Sequence, residues 1–210
     1  MRIIAGRFRR KKLVASPGKT TRPLTDRVKE RLFERLGEFE DERVLDMFAG
    51  TGTIGLEALS RGARHAVFIE RDHKAFELLQ RNVDSVRMTE ETLCWRTDAL
   101  RCSFRPRGRE ELIPYNRVFC DPPYAIAHQI RPGTLLFRAI ERLARPDISA
   151  VGVELILRVP VHQEIEIPRV WHSTTLMRVG GMAIYSLRRA EEWQTLGGED
   201  TLEPLLFEEE

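Results

Sequence analysis

Residues 43–62 read R-V-L-D-M-F-A-G-T-G-T-I-G-L-E-A-L-S-R-G, and the rest of the chain is organised around this stretch. A short apolar run ends at Asp46. Glycines follow at positions 50, 52 and 55, before apolar residues at helical spacing. The pattern predicts a buried strand, a tight turn and a helix whose first N–H groups face the turn. The glycines allow a sharp turn and let a bound nucleoside approach the backbone closely.

The glycine spacing alone does not identify the nucleoside cofactor. G-x-G-x-x-G also fits a dinucleotide site, and Glu70 lies 20 residues after Gly50, where a ribose-binding acid is expected. Asp46 would repel a pyrophosphate, whereas it suits a cationic or amino-bearing ligand. Together with the sequence D-P-P-Y at positions 121–124, which follows a further apolar run, Asp46 favours S-adenosylmethionine.

Composition places the chain among ordinary globular proteins. It has 210 residues, of which 42% are hydrophobic and 31% charged, enough for one sizeable domain with a core. No run approaches the roughly 18 apolar residues that span a bilayer, and the basic N-terminus lacks the apolar region of a secretory signal. Cys94, Cys102 and Cys120 show no C-x-x-C spacing. We therefore expect reduced thiols, no metal site, no membrane association and a monomeric, cytoplasmic protein.

The net charge of +2 conceals an uneven distribution of charge along the chain. Residues 1–31 hold eleven Lys or Arg against two acids, whereas the last twenty residues hold eight acids and no base. A basic N-terminal segment is typical of a protein that binds a polyanion. A solvated charged face is the alternative interpretation.

The order of predicted elements indicates a doubly wound α/β fold. Strands and helices alternate after residue 43, and Gly180-Gly181 predicts a final hairpin, so we expect a mostly parallel sheet with an antiparallel C-terminal edge. Three parts are predicted: a basic hairpin and linker at residues 1–24, the α/β domain at residues 25–190 and an acidic tail at residues 191–210. The segment from Arg101 to Tyr115 is interpreted as a surface insertion.

Four acids follow four successive predicted strands. They are Asp46, Glu70, Asp98 and Asp121. A single aspartate at a strand end is commonly a cap of a turn or helix. Ligands of open α/β sheets bind beyond the carboxyl ends of the strands, so four such acids predict one shared crevice.

The D-P-P-Y sequence fits chemistry on an amino group. Such a group on a nucleobase is a poor nucleophile because its lone pair is delocalised into the ring. The Asp121 carboxylate and the Pro122 carbonyl could accept both amino hydrogens, while the two prolines hold the backbone. Tyr124 offers a face on which a base can stack, and a base in structured nucleic acid would have to be extruded to reach it.

These motifs together resemble a known family. D-M-F-A-G-T-G at 46–52, F-I-E-R-D at 68–72, T-D-A-L at 97–100 and D-P-P-Y are similar to class I S-adenosylmethionine-dependent amino-methyltransferases. M-R-I-I-A-G-R-F-R-R-K-K-L at 1–13, T-R-P-L-T-D-R-V-K-E-R-L-F at 21–33 and L-E-A-L-S-R-G-A at 56–63 resemble the RsmD family. Its members are bacterial enzymes that methylate N2 of a guanine in small-subunit (16S) ribosomal RNA.

The resemblance implies a seven-stranded Rossmann-like methyltransferase fold, with ribosomal RNA or the assembled small subunit as partner. The implied catalytic residues are Asp121, Pro122, Pro123 and Tyr124. The candidate cofactor residues are Asp46, Phe48, Ala49, Gly50, Thr51, Gly52, Glu70, Arg71, Asp98 and Ala99. The candidate RNA-binding residues are Arg7, Arg9, Arg10, Lys11, Lys12 and Arg22.

Three other functions remain open at this point. D-P-P-Y also permits methylation of adenine N6 in DNA or RNA, or of a protein glutamine. A nucleotide-binding oxidoreductase would fit the glycines but would leave D-P-P-Y without a role. A catalytically silent RNA-binding protein would not need the four acids.

Overall fold

The computed structural model describes residues 1–15, 24–191 and 205–207, the last three as backbone. The chain divides into two compact units, residues 1–99 and residues 100–210. The predicted linker at residues 16–23 and most of the predicted acidic tail lie outside the described residues. No helix of the described part is both long enough and apolar enough to cross a membrane.

The first unit contains three helices and three parallel strands. They are α1 (Asp26–Leu36), β1 (Arg43–Asp46), α2 (Thr53–Ser60), β2 (His65–Ile69), α3 (His73–Val86) and β3 (Thr92–Trp95). The strand order is β3-β2-β1. β1 and β2 are buried except at their first residues, as expected for parallel strands covered on both faces.

Side-chain caps at the predicted positions define two of these helices. Thr25 Oγ1 accepts a hydrogen bond from Val28 N at 3.3 Å and begins α1, which ends at Gly37. Asp72 Oδ1 accepts from Ala75 N at 2.9 Å and begins α3. A side chain that accepts from the third N–H satisfies one of the donors left unpaired at a helix start.

Within its described residues, the second unit contains two α-helices and five strands, besides a 3₁₀-helix at Glu110–Leu112. They are β4 (Tyr115–Cys120), α4 (Tyr124–Ala127), α5 (Leu135–Arg142), β5 (Ser149–Pro160), β6 (Trp171–Val179), β7 (Met182–Arg189) and β8 (Leu205–Phe207). Their order is β4-β5-β7-β6-β8. β4 and β5 are parallel, whereas β7 is antiparallel to both β5 and β6.

The predicted mixed α/β sheet with an antiparallel edge hairpin is confirmed. Gly180 and Gly181 both have positive φ and connect β6 to β7, as their sequence predicts. The sheet has eight strands instead of seven because β8, within the predicted acidic tail, pairs with β6.

The segment from Arg101 to Tyr115 is more than a surface insertion. Phe104, Leu112 and Tyr115 are fully buried, and the Tyr115 hydroxyl donates to the Phe104 carbonyl at 3.0 Å. The interpretation from sequence was incomplete here. The three buried residues are separated by arginines and prolines, so they form no periodic apolar pattern.

Candidate active site

The predicted site residues fall into two groups, one in each unit. The cofactor candidates and the basic hairpin belong to the first unit, and D-P-P-Y belongs to the second. The single shared crevice stays a prediction.

The glycine turn joins β1 to α2 as predicted. Gly50 and Gly52 have φ of 55° and 81°, a region that glycine enters without strain. No atom lies within 4 Å of the place where a Cβ on Gly50 would be. A Cβ on Gly52 would instead lie 2.4 Å from Leu79. Gly50 thus leaves open space beside the turn, whereas a side chain at Gly52 would require Leu79 to shift.

Asp46 supplies the helix cap that Gly52 lacks. Gly52 is the N-cap residue of α2 and has no side chain, while Asp46 Oδ2 accepts a hydrogen bond from Gly55 N at 3.1 Å. Asp46 is 1% exposed. A carboxylate at a helix N-terminus is stabilised by the orphan N–H groups and the helix dipole. Its buried position fixes the shape of the turn.

Glu70 holds the turn from the end of the neighbouring strand. Its Oε2 accepts from Gly50 N at 2.8 Å, and its Oε1 accepts from Asp72 N at 2.6 Å. Both carboxylate oxygens are thereby oriented by backbone N–H groups, and the residue is only half-buried. A carboxylate has about four lone-pair sites, so acceptor capacity remains for a ligand hydroxyl.

The remaining cofactor candidates lie around this turn and at the end of β3. Phe48, Ala49 and Asp98 are half-buried, Thr51 and Ala99 are buried, and Arg71 is exposed. Arg71 Nη1 lies 3.6 Å from Asp98 Oδ2, a weak surface pair. Asp46, Glu70 and Asp98 all stand at or just beyond the carboxyl ends of parallel strands, as predicted.

Asn82 connects the glycine turn to the N-terminal hairpin (residues 1–15). Its Nδ2 donates to the carbonyls of Thr51 at 2.9 Å and Val14 at 3.0 Å, and its Oδ1 accepts from Val14 N at 2.8 Å. Asn82 is fully buried on α3. One side chain therefore positions two predicted functional segments. Sequence reasoning missed it because Asn82 stands among polar residues such as Arg81 and Asp84, as a helix-surface residue would.

The N-terminal hairpin is docked on α2 by a buried carboxylate. Glu57 accepts from Ile4 N at 2.8 Å, from Ala5 N at 3.0 Å and from Arg61 Nε at 3.0 Å. Lys29 Nζ lies 3.2 Å from the same carboxylate, and the two side chains are 2% and 0% exposed. Glu57 was also missed, since it reads as a polar interruption of an apolar helix.

The hairpin approaches α2 so closely that only glycine fits at position 6. Gly6 has φ of 78°, and a Cβ there would lie 1.8 Å from the Ser60 carbonyl oxygen. Arg7 N donates to that oxygen at 2.7 Å, and Phe8 N donates to Ser60 Oγ at 2.9 Å. These contacts to Ser60 thus fix the path of the backbone from Gly6 into the basic residues of the hairpin.

The basic residues of this hairpin face solvent. The exposed basic residues between positions 7 and 12 are Arg7, Arg9, Arg10, Lys11 and Lys12. The structure supports the prediction that most of them project into water. The further candidate, Arg22, lies outside the described residues.

In the second unit, Asp121 follows β4 and is paired with a residue that sequence reasoning missed. Arg158 Nε lies 2.6 Å from Asp121 Oδ1, and the side chains are 8% and 17% exposed. Cys120 pairs with Leu157 in the parallel register, so the next residues on β4 and β5 are neighbours. Burial raises the pKa of the Asp121 carboxyl, and the Arg158 guanidinium acts in the opposite direction.

The rest of D-P-P-Y presents groups that a ligand could satisfy. The Pro123 carbonyl accepts from Ile126 N at 2.9 Å, which starts the short α4. Within the described residues, the Pro122 carbonyl accepts no hydrogen bond and the buried Tyr124 hydroxyl has no partner. A buried hydroxyl without a partner is unfavourable, so this loop fits the binding of a polar molecule.

A second buried ion pair lies four residues earlier along the same strands. Arg117 Nη1 donates to Glu154 Oε2 at 2.7 Å, and Ser186 Oγ donates to Glu154 Oε1. Arg117 pairs with Glu154 and Phe119 with Ile156 in the register. Because strand residues alternate between faces, both ion pairs stand on one face of β4 and β5.

Comparisons with known proteins identify the family of this chain. Residues 1–179 match the protein family described as "Conserved hypothetical protein 95". Ribosomal RNA small subunit methyltransferase D of Escherichia coli (strain K12) is 34% identical over 194 residues, 91% of this chain and 90% of that protein. YlbH of Bacillus subtilis (strain 168) is 41% identical over 125 residues, 59% of this chain and 67% of that protein.

A solved structure extends the likeness to the fold. The yhhF protein from Escherichia coli superposes with a TM-score of 0.73 at 32% identity, covering 90% of this chain and 97% of that one. The match includes both the glycine turn and the D-P-P-Y loop within residues 1–179. The family predicted from the motifs is thereby confirmed, and the chain belongs to the RsmD family of methyltransferases.

Proposed function

We propose that this protein transfers a methyl group from S-adenosylmethionine to the exocyclic N2 amino group of a guanine in small-subunit ribosomal RNA. The observation that carries the proposal is the D-P-P-Y loop, where an oriented carboxylate, an unbonded carbonyl and a buried hydroxyl occur within four residues. The similarity to a relative named ribosomal RNA small subunit methyltransferase D supports the choice of RNA.

The cofactor is assigned to the glycine turn of the first unit. The open space beside Gly50 allows close approach, and Glu70 offers acceptor capacity for ribose hydroxyls. Asp98 is assigned to the neighbourhood of the adenine, and Asp46 acts by shaping the turn through Gly55. When bound, S-adenosylmethionine supplies a methyl group already activated by its sulfonium.

The protein residues orient the amino group. The Asp121 carboxylate and the Pro122 carbonyl each accept one amino hydrogen, which directs the nitrogen lone pair away from the ring plane. Tyr124 stacks on the base, a contact worth about 1–3 kcal/mol per base in single-stranded nucleic acid complexes. Catalysis of this kind rests on positioning, so the proposal requires neither a metal nor a covalent intermediate.

Arg158 is assigned as a positioning residue for Asp121. Its Nε fixes one carboxylate oxygen by a charge-assisted hydrogen bond and favours the ionised form, which can only accept hydrogen bonds. The other oxygen is then presented to the substrate in one orientation.

The N-terminal hairpin is assigned to RNA docking. Five exposed cations within six positions would neutralise phosphates and release their counterions. Arg22 is kept in the proposed RNA-binding set on the basis of the sequence alone. Phosphate contacts position a protein without reading sequence, so the choice of the guanine is assigned to the D-P-P-Y loop.

A methyl-transfer assay tests the proposal. The protein is incubated with S-adenosylmethionine carrying a labelled methyl group and, in separate reactions, with naked small-subunit ribosomal RNA, assembled small subunits, duplex DNA or a protein rich in exposed glutamine. Label in either RNA-containing sample, absent with Asp121→Ala, supports the proposal. Label confined to DNA or protein would replace it with one of the other amino-group substrates.

A further inference from the structure

A basic pocket lies between the hairpin and the end of α3, wholly within the first unit. Its volume is about 440 Å³, and its walls include Phe8, Arg9, Arg10, Lys11, Ser85 and Arg87. Arg87 ends α3 and belongs to no predicted site. The pocket therefore joins a cation from a distant part of the sequence to the three from the hairpin.

The charges of this pocket are uncompensated. Its four cations are all exposed, and none of them forms an ion pair within residues 1–15, 24–191 and 205–207. No carboxylate is among the residues that line it. Like charges around one cavity repel each other, so an anion bound there lowers the free energy of the folded protein.

The pocket is also preorganised. Arg7 Nη2 lies 2.8 Å from Met88 Sδ, directly beside Arg87, and holds the hairpin against the end of α3. Arg10 and Arg87 have φ of 69° and 56°, so both backbones take a defined left-handed conformation. The close contact of Gly6 with Ser60 fixes the base of the hairpin. Because the backbone is already ordered, binding of a ligand costs little further backbone conformational entropy.

We propose that this pocket binds a backbone phosphate of the RNA, and that Arg87 is one of its ligands. The choice of RNA over another polyanion rests on the proposed function. A guanidinium offers two parallel N–H donors to phosphate oxygens, and both Arg10 of the hairpin and Arg87 at the end of α3 line the cavity. The pocket thus fixes where the RNA backbone passes the hairpin. Residues of the hairpin and of the end of α3 together form this binding site.

Arg87→Gln, Arg87→Lys and Arg81→Gln test this assignment. Arg81 is an exposed residue of the same helix that does not line the pocket, so its variant is the matched control. Binding of a fluorescent small-subunit ribosomal RNA transcript is measured over a series of KCl concentrations without cofactor. Thermal melting of each variant shows that it is folded.

Arg87→Gln should lower the magnitude of the slope of log K against log[KCl] by about 0.7–0.9, the value for one phosphate contact. Its affinity at low salt should fall several-fold. Arg87→Lys should keep the slope, and Arg81→Gln should match the wild type. An unchanged slope for Arg87→Gln would overturn the phosphate site.

This outcome is separable from that of the proposed function. The binding assay involves no methyl transfer, so a flattened slope for Arg87→Gln would uphold the pocket even where no RNA accepts a methyl group. Conversely, RNA methylation with an unchanged slope would uphold the function and remove the pocket. RNA binding whose salt dependence is the same in all four proteins would leave the basic residues as a solvated face.

Discussion

Arg158 Nε lies 2.6 Å from Asp121 Oδ1, and this pair joins β5 to the loop that carries the proposed chemistry. The register of two parallel strands brings the guanidinium to the carboxylate. Asp121 is thereby held as an oriented acceptor although its surroundings are mostly buried.

Arg158→Met should lower turnover by about tenfold or more and move the acidic limb of the pH profile to higher pH. Burial already raises the pKa of Asp121, and the variant removes the charge that opposes this rise. A larger fraction of the carboxyl is then protonated at any given pH and cannot accept the amino hydrogen. The measurement is kcat as a function of pH on the RNA substrate.

Arg158→Lys should restore part of the activity and move the acidic limb back, because it keeps the positive charge. Arg178→Met, at an exposed position of β6, is the control for an arginine lost from the same sheet. A loss of turnover in Arg158→Met with an unchanged pH profile would contradict this role. Arg158 would then support the folded structure without affecting the pKa of Asp121.

From the glycine turn we predict that the protein binds S-adenosylmethionine and its product S-adenosylhomocysteine, and does not bind NAD. S-adenosylhomocysteine at a hundred times its Kd should stabilise the protein by about 2.7 kcal/mol, and NAD should give no shift in Tm. Glu70→Gln should weaken S-adenosylhomocysteine binding by about ten- to hundredfold, since hydrogen bonds to charged groups contribute about 1.5–3 kcal/mol. Titration calorimetry on the wild type and on Glu70→Gln measures the affinity for S-adenosylhomocysteine. Glu77→Gln, at an exposed position, is the control. Tight NAD binding would contradict the assignment.

The buried pair of Lys29 and Glu57 predicts a large effect on stability. Glu57→Gln leaves the Lys29 ammonium without its charged partner, and breaking a buried ion pair costs about 3–5 kcal/mol. The free energy of unfolding is measured in urea, with Glu34→Gln on the exposed side of α1 as control. The double variant Lys29→Met, Glu57→Gln should recover part of the loss. Equal stability of Glu57→Gln and Glu34→Gln would refute the importance of the pair.

Local signals in the sequence account for much of the fold. Thr25 and Asp72 were predictable caps because their chemistry acts within three residues. The glycine turn and the Gly180-Gly181 hairpin were predictable because their backbone conformations favour glycine. The acids at the strand ends followed from apolar runs that end in a carboxylate.

The features that were missed depend on contacts between distant residues. Glu57 interacts with Ile4 across 53 positions and Asn82 with Val14 across 68, and no local pattern marks either partner. Arg158 meets Asp121 only once the register of β4 and β5 is known. β8 is an apolar run of three residues within an acidic segment, too short for a strand pattern to be recognised before its pairing with β6 is known.

Nucleoside analysis of the methylated RNA tests the central claim most directly. Small-subunit ribosomal RNA labelled by the wild-type protein is digested to nucleosides, separated and identified by mass, with RNA treated by Asp121→Ala as the blank. The account predicts that the label is recovered as N2-methylguanosine and that the Asp121→Ala sample is blank although its cofactor affinity is nearly unchanged. Label in N6-methyladenosine, or an Asp121→Ala protein that keeps half of the wild-type turnover, would contradict it.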